Sequence, residues 1–337
     1  MRIIIYDIAA KKGGGGETIL KQYFDIAAKQ TDNEWWFFVS IEEYLERDGK
    51  NIHVIYVDID NKSKLISYVK RKEYEVFKLK KIIKNINPDE FISLQNMIVK
   101  GLKCNQTVYL HQSFQFSPVQ YSFFNKEERS LAFRQKVICR IIKNRLCKAD
   151  KLIVQTDWMK RAVIKWVNYP ENRILVDTPI VLLPEISDDV DKLNNIFFYP
   201  ANAYLNKNHH IIIDACRILK DRGYNNFRVL FTLSPNSNGL SSKLFSEIKK
   251  EGLPIDFIGH LEKEELFRYY QSLVMLFPSY IETFGLPLLE AKSVGGRIIA
   301  SDCPFSHEIL DEYSYAEFAN WNSADEWASA IINHLQC

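Results

Sequence analysis

Short apolar runs, dense in β-branched and aromatic residues, alternate with helix-patterned stretches, and they do so in two separate series. This alternation constrains the chain more than any other feature. A strand that is apolar on both faces must be covered by helices on both faces, which calls for a parallel sheet with crossover helices. In the first series RIIIYDIA (2–9), WWFFVS (35–40), HVIYVDI (53–59), EFISLQ (90–95), TVYLHQ (107–112) and KLIVQT (151–156) read as strands. Between them, GGGGETILKQYFDIAAKQ (13–30) is a glycine turn entering a helix, KLKKIIKNI (78–86) a helix stopped before Pro88, and residues 126–150 a longer helix. DWMKRAVIKWV (157–167) is a helix with Asp157 as its candidate cap.

Residues 183–195 are polar and rich in turn formers, and the second series starts after them. Its strands are IFFYPAN (196–202), FRVLFTL (227–233), LPIDFIG (253–259), VMLFPS (274–279) and GRIIASD (296–302), with helices at 208–223, 263–273, 286–294 and 323–335. The expectation is α/β: two Rossmann-like, doubly wound parallel-sheet domains facing across a cleft. The boundaries expected are 1–184, a linker at 185–195, a second domain at 196–320, and a closing helix at 321–337 free to pack back toward the first domain.

The net charge of +2 conceals a basic front half and an acidic back half: 26 Lys and Arg against 18 Asp and Glu up to residue 150, then 18 against 24. The two modules therefore have different neighbours, and no nucleic-acid motif accompanies the basic half. Six scattered cysteines form no CxxC pair, which reads as reduced thiols in a cytoplasmic protein. The apolar N-terminus is short and carries Asp7, so it reads as a buried strand and not as a signal peptide. No run approaches the length of a bilayer span.

The stretch PSYIETFGLPLLEAKSVGGRIIASD (278–302) holds Glu282 in a loop and Glu290 just inside the next helix. Gly285 permits close backbone approach and Pro287 suits a first helical turn. The amides of Phe284, Gly285 and Leu286, at a helix start, can face an anion. Glu290, expected in the first helical turn, can accept hydrogen bonds from a ribose diol, and Glu282 from a second sugar. Glu290 alone would read as a complement to the helix dipole; the combined loop, glycine, proline and acid pattern favours a ligand. In YPANAYLNKNHH (199–210), Asn206 is a candidate cap and Lys207 a cation placed to meet a diphosphate.

ETFGLPLLEA resembles the E-x7-E segment of family-4 retaining glycosyltransferases of the GT-B fold, and FIGH, YPANAYLNKNH and VQTDWMK fall in that family's order and spacing. The resemblance covers most of the chain and is strongest from Ile196 to Asp302. It implies transfer of a sugar from a nucleotide diphosphate donor, UDP or GDP, to a saccharide or lipid-linked acceptor, with retention and without metal or other cofactor. Surface polysaccharide assembly is the implied setting. It further implies a ribose on Glu290 and donor sugar hydroxyls on Glu282, with Thr283, Phe284, Gly285, Leu286, Gly259 and His260 around the donor. The family's arginine–lysine pair is represented by Lys207 alone, with Asn202 or a neighbour where the arginine would stand.

Three features stay open at this level. The GGGG run (13–16) reads either as a flexible loop or, by resemblance, as a loop in which Gly14, Gly15 and Gly16 border donor phosphate or acceptor. His111 reads either as a core histidine or, by resemblance, as a contact to the donor sugar; Asn96 is an acceptor-side candidate. The basic helix at 126–148 reads as a solvated face or as a contact with anionic lipid headgroups. The patterns Asp58-Ile-Asp60 and Asp189-Val-Asp191 lack supporting histidines and carry no metal expectation. Two other readings share the fold: a non-catalytic GT-B partner subunit, and a phosphorylase or epimerase-type enzyme.

Overall fold

The computed structural model describes all residues except 11, 13–14, 60–63, 180–183, 185–189 and 337, with residues 15 and 64–68 described by their backbone alone. Gly14, Asp60, Asp189 and part of the expected linker 185–195 therefore lie outside the described residues. The chain divides into two compact units, Met1–Gln115 with Ser130–Thr178, and Phe116–Arg129 with Pro179–Cys337. The segment Phe116–Arg129, which lies inside the expected 1–184 domain, groups with the second unit.

In the first unit the strands are β1 (Arg2–Asp7), β2 (Glu34–Val39), β3 (Ile52–Tyr56), β4 (Glu90–Ser93), β5 (Asn105–Tyr109), β6 (Lys151–Val154) and β7 (Ile174–Val176). Among the described residues these seven form one parallel sheet in the order β3-β2-β1-β4-β5-β6-β7. Alternate residues of β1 serve two helical layers. Ile3 and Ile5 join a core with Ile19, Leu20, Tyr23, Phe24 and Ala27, the apolar stripe of α1 (Gly15–Lys29). Ile4 and Tyr6 face Leu79, Ile83 and Ile86 on the other side. Phe24 stacks on Phe37 at 3.8 Å between ring centroids.

The helix expected at 78–86 is the end of a longer rod: α2 (Lys64–Glu73), a π-helical stretch Tyr74–Leu79, and α3 (Lys80–Ile86). Its π-helical stretch carries no clean apolar stripe because a polar group faces inward. Glu75 is buried and ion-pairs with Arg71 at 3.2 Å and Lys72 at 2.5 Å. The helix expected from 126 begins at α4 (Arg129–Phe133), passes through a π-helical stretch Arg134–Ile138 and ends as α5 (Cys139–Leu146). Ahead of it, Glu127 N donates to Asn125 Oδ1 at 3.0 Å and Ser122 N to Glu128 Oε2 at 2.7 Å, holding a turn. The cap of α6 (Asp157–Val167) is Thr156, not Asp157: Thr156 Oγ1 accepts from Met159 N at 3.4 Å.

The second unit runs β8 (Ile196–Tyr199), α7 (His209–Asp221), β9 (Arg228–Phe231), α8 (Gly239–Glu251), β10 (Ile255–Phe257), α9 (Lys263–Ser272), β11 (Val274–Phe277), α10 (Leu286–Ser293), β12 (Arg297–Ser301), α11 (Pro304–Ile309), β13 (Ala316–Ala319) and α12 (Ala324–Leu335). Among the described residues its six strands are parallel, in the order β10-β9-β8-β11-β12-β13. Helix α12 packs on α7 and beside β13 within this unit. In both sheets the strand order reverses at one place, between β1 and β4 and between β8 and β11. Doubly wound sheets bind ligands beyond the carboxyl ends of the strands at such a switch point. No helix of the described residues is long and apolar enough to cross a membrane.

Candidate functional site

The switch point of the second unit brings Lys207 and Glu282 together. Lys207 closes a 3-10 turn, Leu205–Lys207, after β8, and its carbonyl accepts from Tyr199 Oη at 2.8 Å. Its Nζ donates to Glu282 Oε1 at 2.5 Å, and Ser279 Oγ, just past β11, donates to the same oxygen at 2.5 Å. The Lys207 and Glu282 side chains retain 22% and 18% of their surface, so a ligand can reach both. Asn206 does not cap α7. That position is Asn208, with φ +56, and its Nδ2 donates to the carbonyls of Pro278 at 3.3 Å and Trp321 at 2.8 Å. Asn206 is buried, and its carbonyl accepts from Tyr280 N at 3.3 Å, tying the two loops to each other.

Gly285 caps α10 with φ +94, a conformation L residues rarely adopt. A Cβ there would lie 3.3 Å from Leu288 Cδ1 and 3.4 Å from Phe305 Cδ2. No side chain caps this end; Pro287 has no N–H and Leu288 N donates to the Gly285 carbonyl at 2.9 Å, so the amide the helix start offers is that of Leu286, beside Gly285. Glu290 is the fifth residue of α10, in its second turn and not its first. The helix dipole fades within the first turn, so dipole complementation does not account for an acid there. Glu290 Oε2 accepts from Tyr270 Oη at 3.0 Å. Burial raises the Glu290 pKa, opposed by that hydrogen bond and by Lys263. Thr283 is partly buried and Phe284 fully so, and Asn202 and His260 are exposed. Gly259, φ +82, follows β10 at the same end of the sheet.

The switch point of the first unit holds His111, Asn96 and Gly16. Asn96 follows β4 with φ +62, and its Oδ1 accepts from His111 N at 2.8 Å. Burial pushes the His111 imidazole down to about 4, against a smaller opposing pull from the Leu94 backbone, so it is neutral at pH 7. Gly16 opens α1 close by: a Cβ there would lie 3.6 Å from His111 Cε1 and 3.8 Å from Asp7 Oδ2. These residues line a cavity of about 460 Å³. The sequence reading did not single out Ser279, Tyr270, Asp7 or Gln95. Only Asp7 had a visible signal, an acid at the end of an apolar strand just before a glycine run.

The two doubly wound parallel sheets are those of the GT-B fold; at the switch point of the second stand a lysine–glutamate pair and, beside it, a glycine-capped helix. Residues 187–337 match the model of the family described as glycosyl transferases group 1. The O-antigen chain mannosyltransferase RfbU of Salmonella typhimurium (strain LT2) is 24% identical over 207 residues, 60% of this chain and 56% of that protein. The O-antigen chain mannosyltransferase B of Escherichia coli is 21% identical over 57% of this chain and 53% of that protein. The chain thus matches little more than half the length of these curated relatives. Among solved structures, Anabaena Alr3699/HepE in complex with UDP-glucose superposes with a TM-score of 0.67 at 14% identity, over 100% of this chain and 90% of that one, a likeness of fold.

Proposed function

We propose that the protein is a retaining glycosyltransferase that moves a sugar from a UDP or GDP donor to a saccharide or lipid-linked saccharide in surface polysaccharide synthesis. The observation that carries this reading is the 2.5 Å Lys207–Glu282 pair at the β8/β11 switch point, next to the uncapped start of α10. As the glycosidic bond breaks, negative charge grows on the leaving diphosphate. Lys207 and the amides of Gly285 and Leu286 stabilise that charge more than they stabilise the intact donor, which lowers the barrier. Glu290 has one carboxylate oxygen on Tyr270 and receives the ribose diol with the other. Glu282 takes donor sugar hydroxyls. The departing phosphate removes the acceptor proton on the same face of the sugar, so no protein nucleophile is required.

The likeness to two O-antigen mannosyltransferases favours mannose as the transferred sugar, with GDP-mannose the first donor to try and UDP-glucose the second. Metal independence is part of the proposal: EDTA leaves turnover unchanged, and strict dependence on added manganese would refute it. A lipid-linked acceptor gives the α4–α5 rod a role, since Phe133 and Val137 are exposed there near Lys136 and Arg140. Each basic residue near an anionic bilayer contributes about 1 kcal/mol. Flotation with vesicles should then rise with anionic lipid content, and flotation independent of it removes this part. The central test is donor turnover in the Lys207→Ala and Glu290→Gln variants: both lose activity strongly, whereas wild-type kinetics in both would defeat the assignment.

A further inference from the structure

The cavity in the first unit contains buried polar atoms that no described residue satisfies. Asp7, at the carboxyl end of β1, is 2% exposed. Its Oδ1 accepts from Ala9 N at 3.1 Å and Ala10 N at 2.9 Å, while Oδ2 has no hydrogen-bond partner among the described residues. Gln95, two residues past β4, is 5% exposed, and neither its Oε1 nor its Nε2 is paired. Unpaired buried polar atoms are costly, and three in one cavity at a topological switch point indicate partners supplied by a ligand. Asp7 Oδ2 calls for a donor, and the carboxamide for one donor and one acceptor; adjacent sugar hydroxyls provide both.

Arg71 from the α2 rod and Arg134 from the start of the π-helical stretch line the same cavity. Arg71 is held by Glu75 through Nε, and Arg134 sits 5.1 Å from the centroid of the Phe114 ring. With His111 neutral, the lining carries two guanidinium groups and one carboxylate, Glu75 standing behind Arg71 on its Nε side and Arg134 being the guanidinium without a carboxylate partner among the ion pairs of the described residues. Ala10, Leu94, Ile138 and Ile142 provide apolar surface for the face of a sugar ring. The volume of about 460 Å³ suits a small saccharide.

We propose that this cavity holds the acceptor and selects a saccharide bearing an anionic substituent, Asp7 and Gln95 engaging ring hydroxyls and Arg71 and Arg134 the charged group. The inference rests on the glycosyltransferase reading and names the acceptor class within it. Burial, which pushes the Asp7 carboxyl up to about 6, is consistent with an acid kept for a ligand and not for an internal ion pair.

The test is ligand-observed NMR on the full chain, with methyl α-glycosides, hexose 6-phosphates and hexuronic acids of gluco, galacto and manno configuration. At least one anionic sugar should bind tenfold or more tightly than its neutral counterpart; the phosphate and carboxylate arms tell the two anions apart. Arg134→Gln should erase that preference, and Asp7→Asn should weaken binding of the preferred sugar tenfold or more. Gly16→Leu blocks the cavity from a helical position without a strained φ, and should abolish binding while the fold persists. Binding of UDP and GDP serves as the control and stays at the wild-type level in the Arg134→Gln and Asp7→Asn variants. If wild type binds a nucleotide but none of the sugars, or binds neutral and anionic sugars equally, the acceptor proposal is overturned while the donor site stands. If it binds neither nucleotide, the glycosyltransferase reading fails as well.

Discussion

Replacing Asp7 by Asn should make the first unit more stable at neutral pH while impairing its ligand. Burial raises the Asp7 pKa from 3.8 to about 6, against the opposing pull of the Ala9 and Ala10 amides and of Arg71. At about 1.36 kcal/mol per pKa unit, the charged carboxylate costs the folded state roughly 3 kcal/mol above pH 6. Asn carries no such charge, and its Oδ1 can still accept from the two amides. The sign follows from proton binding. Between pH 3.8 and 6 the native state binds more protons than the unfolded chain, so wild-type stability falls as pH rises through that window. The Asn variant does not follow it. Its advantage should be greatest above pH 6, shrink through the window and vanish near pH 3.8. That shift is already net of the Asp7–Arg71 attraction, so the gain amounts to several degrees in the melting of this unit. Thermal unfolding at pH 7.5 and 4.5, on both proteins, measures it. A variant less stable than wild type at pH 7.5, or one equally advantaged at both pH values, would refute the reasoning.

Other substitutions probe the second unit. Gly285→Ala forces a Cβ into a left-handed position against Leu288 and Phe305, so it should cost about 1–2 kcal/mol and weaken nucleotide binding, read by calorimetry. Lys207→Ala should lower turnover by about 100-fold or more, as expected when one charge-stabilising group is removed; an unchanged kcat would remove Lys207 from the mechanism. Tyr121 and Tyr280, both buried, share a hydrogen bond of 2.9 Å that ties the segment Phe116–Arg129 to the Glu282 loop. Tyr121→Phe should cost about 1–3 kcal/mol by chemical denaturation, and the double Phe variant should recover part of that loss.

Elements whose burial follows a simple period were legible in the sequence. β1, β11 and β12 are continuous apolar runs, and α7 carries its stripe at Ile211, Ile212, Ala215 and Leu219. The elements that escaped have polar groups facing inward or very little buried surface. α8 buries Ser241, which donates to the Ser234 carbonyl at 2.6 Å, so its inward face does not look apolar. β7 buries only Ile174 of its three residues. The site divides in the same way. Glu282, Gly285 and Glu290 lie in one contiguous stretch whose turn chemistry is local, and Lys207 stands in a recognisable strand-to-helix loop. Ser279 lies three residues before Glu282 and is local too, whereas Tyr270 meets Glu290 only through the packing of α9 and α10, and Asp7 and Gln95 share a cavity only because β1 and β4 are neighbours, Gln95 lying 88 positions after Asp7. The start of α10 at Leu286 agrees with the helix expected at 286–294, and counting from it makes Glu290 the fifth residue, so its place in the second turn was already legible and the first-turn expectation was a misreading.

The account centres on the switch point between β8 and β11 as the place where the nucleotide is gripped. A crystal structure with UDP or GDP bound tests this most directly. The account predicts ribose hydroxyls on the Glu290 carboxylate and the diphosphate between Lys207 Nζ and the amides of Gly285 and Leu286. A nucleotide bound elsewhere, with Lys207 still on Glu282 and Glu290 touching only Tyr270, would contradict it.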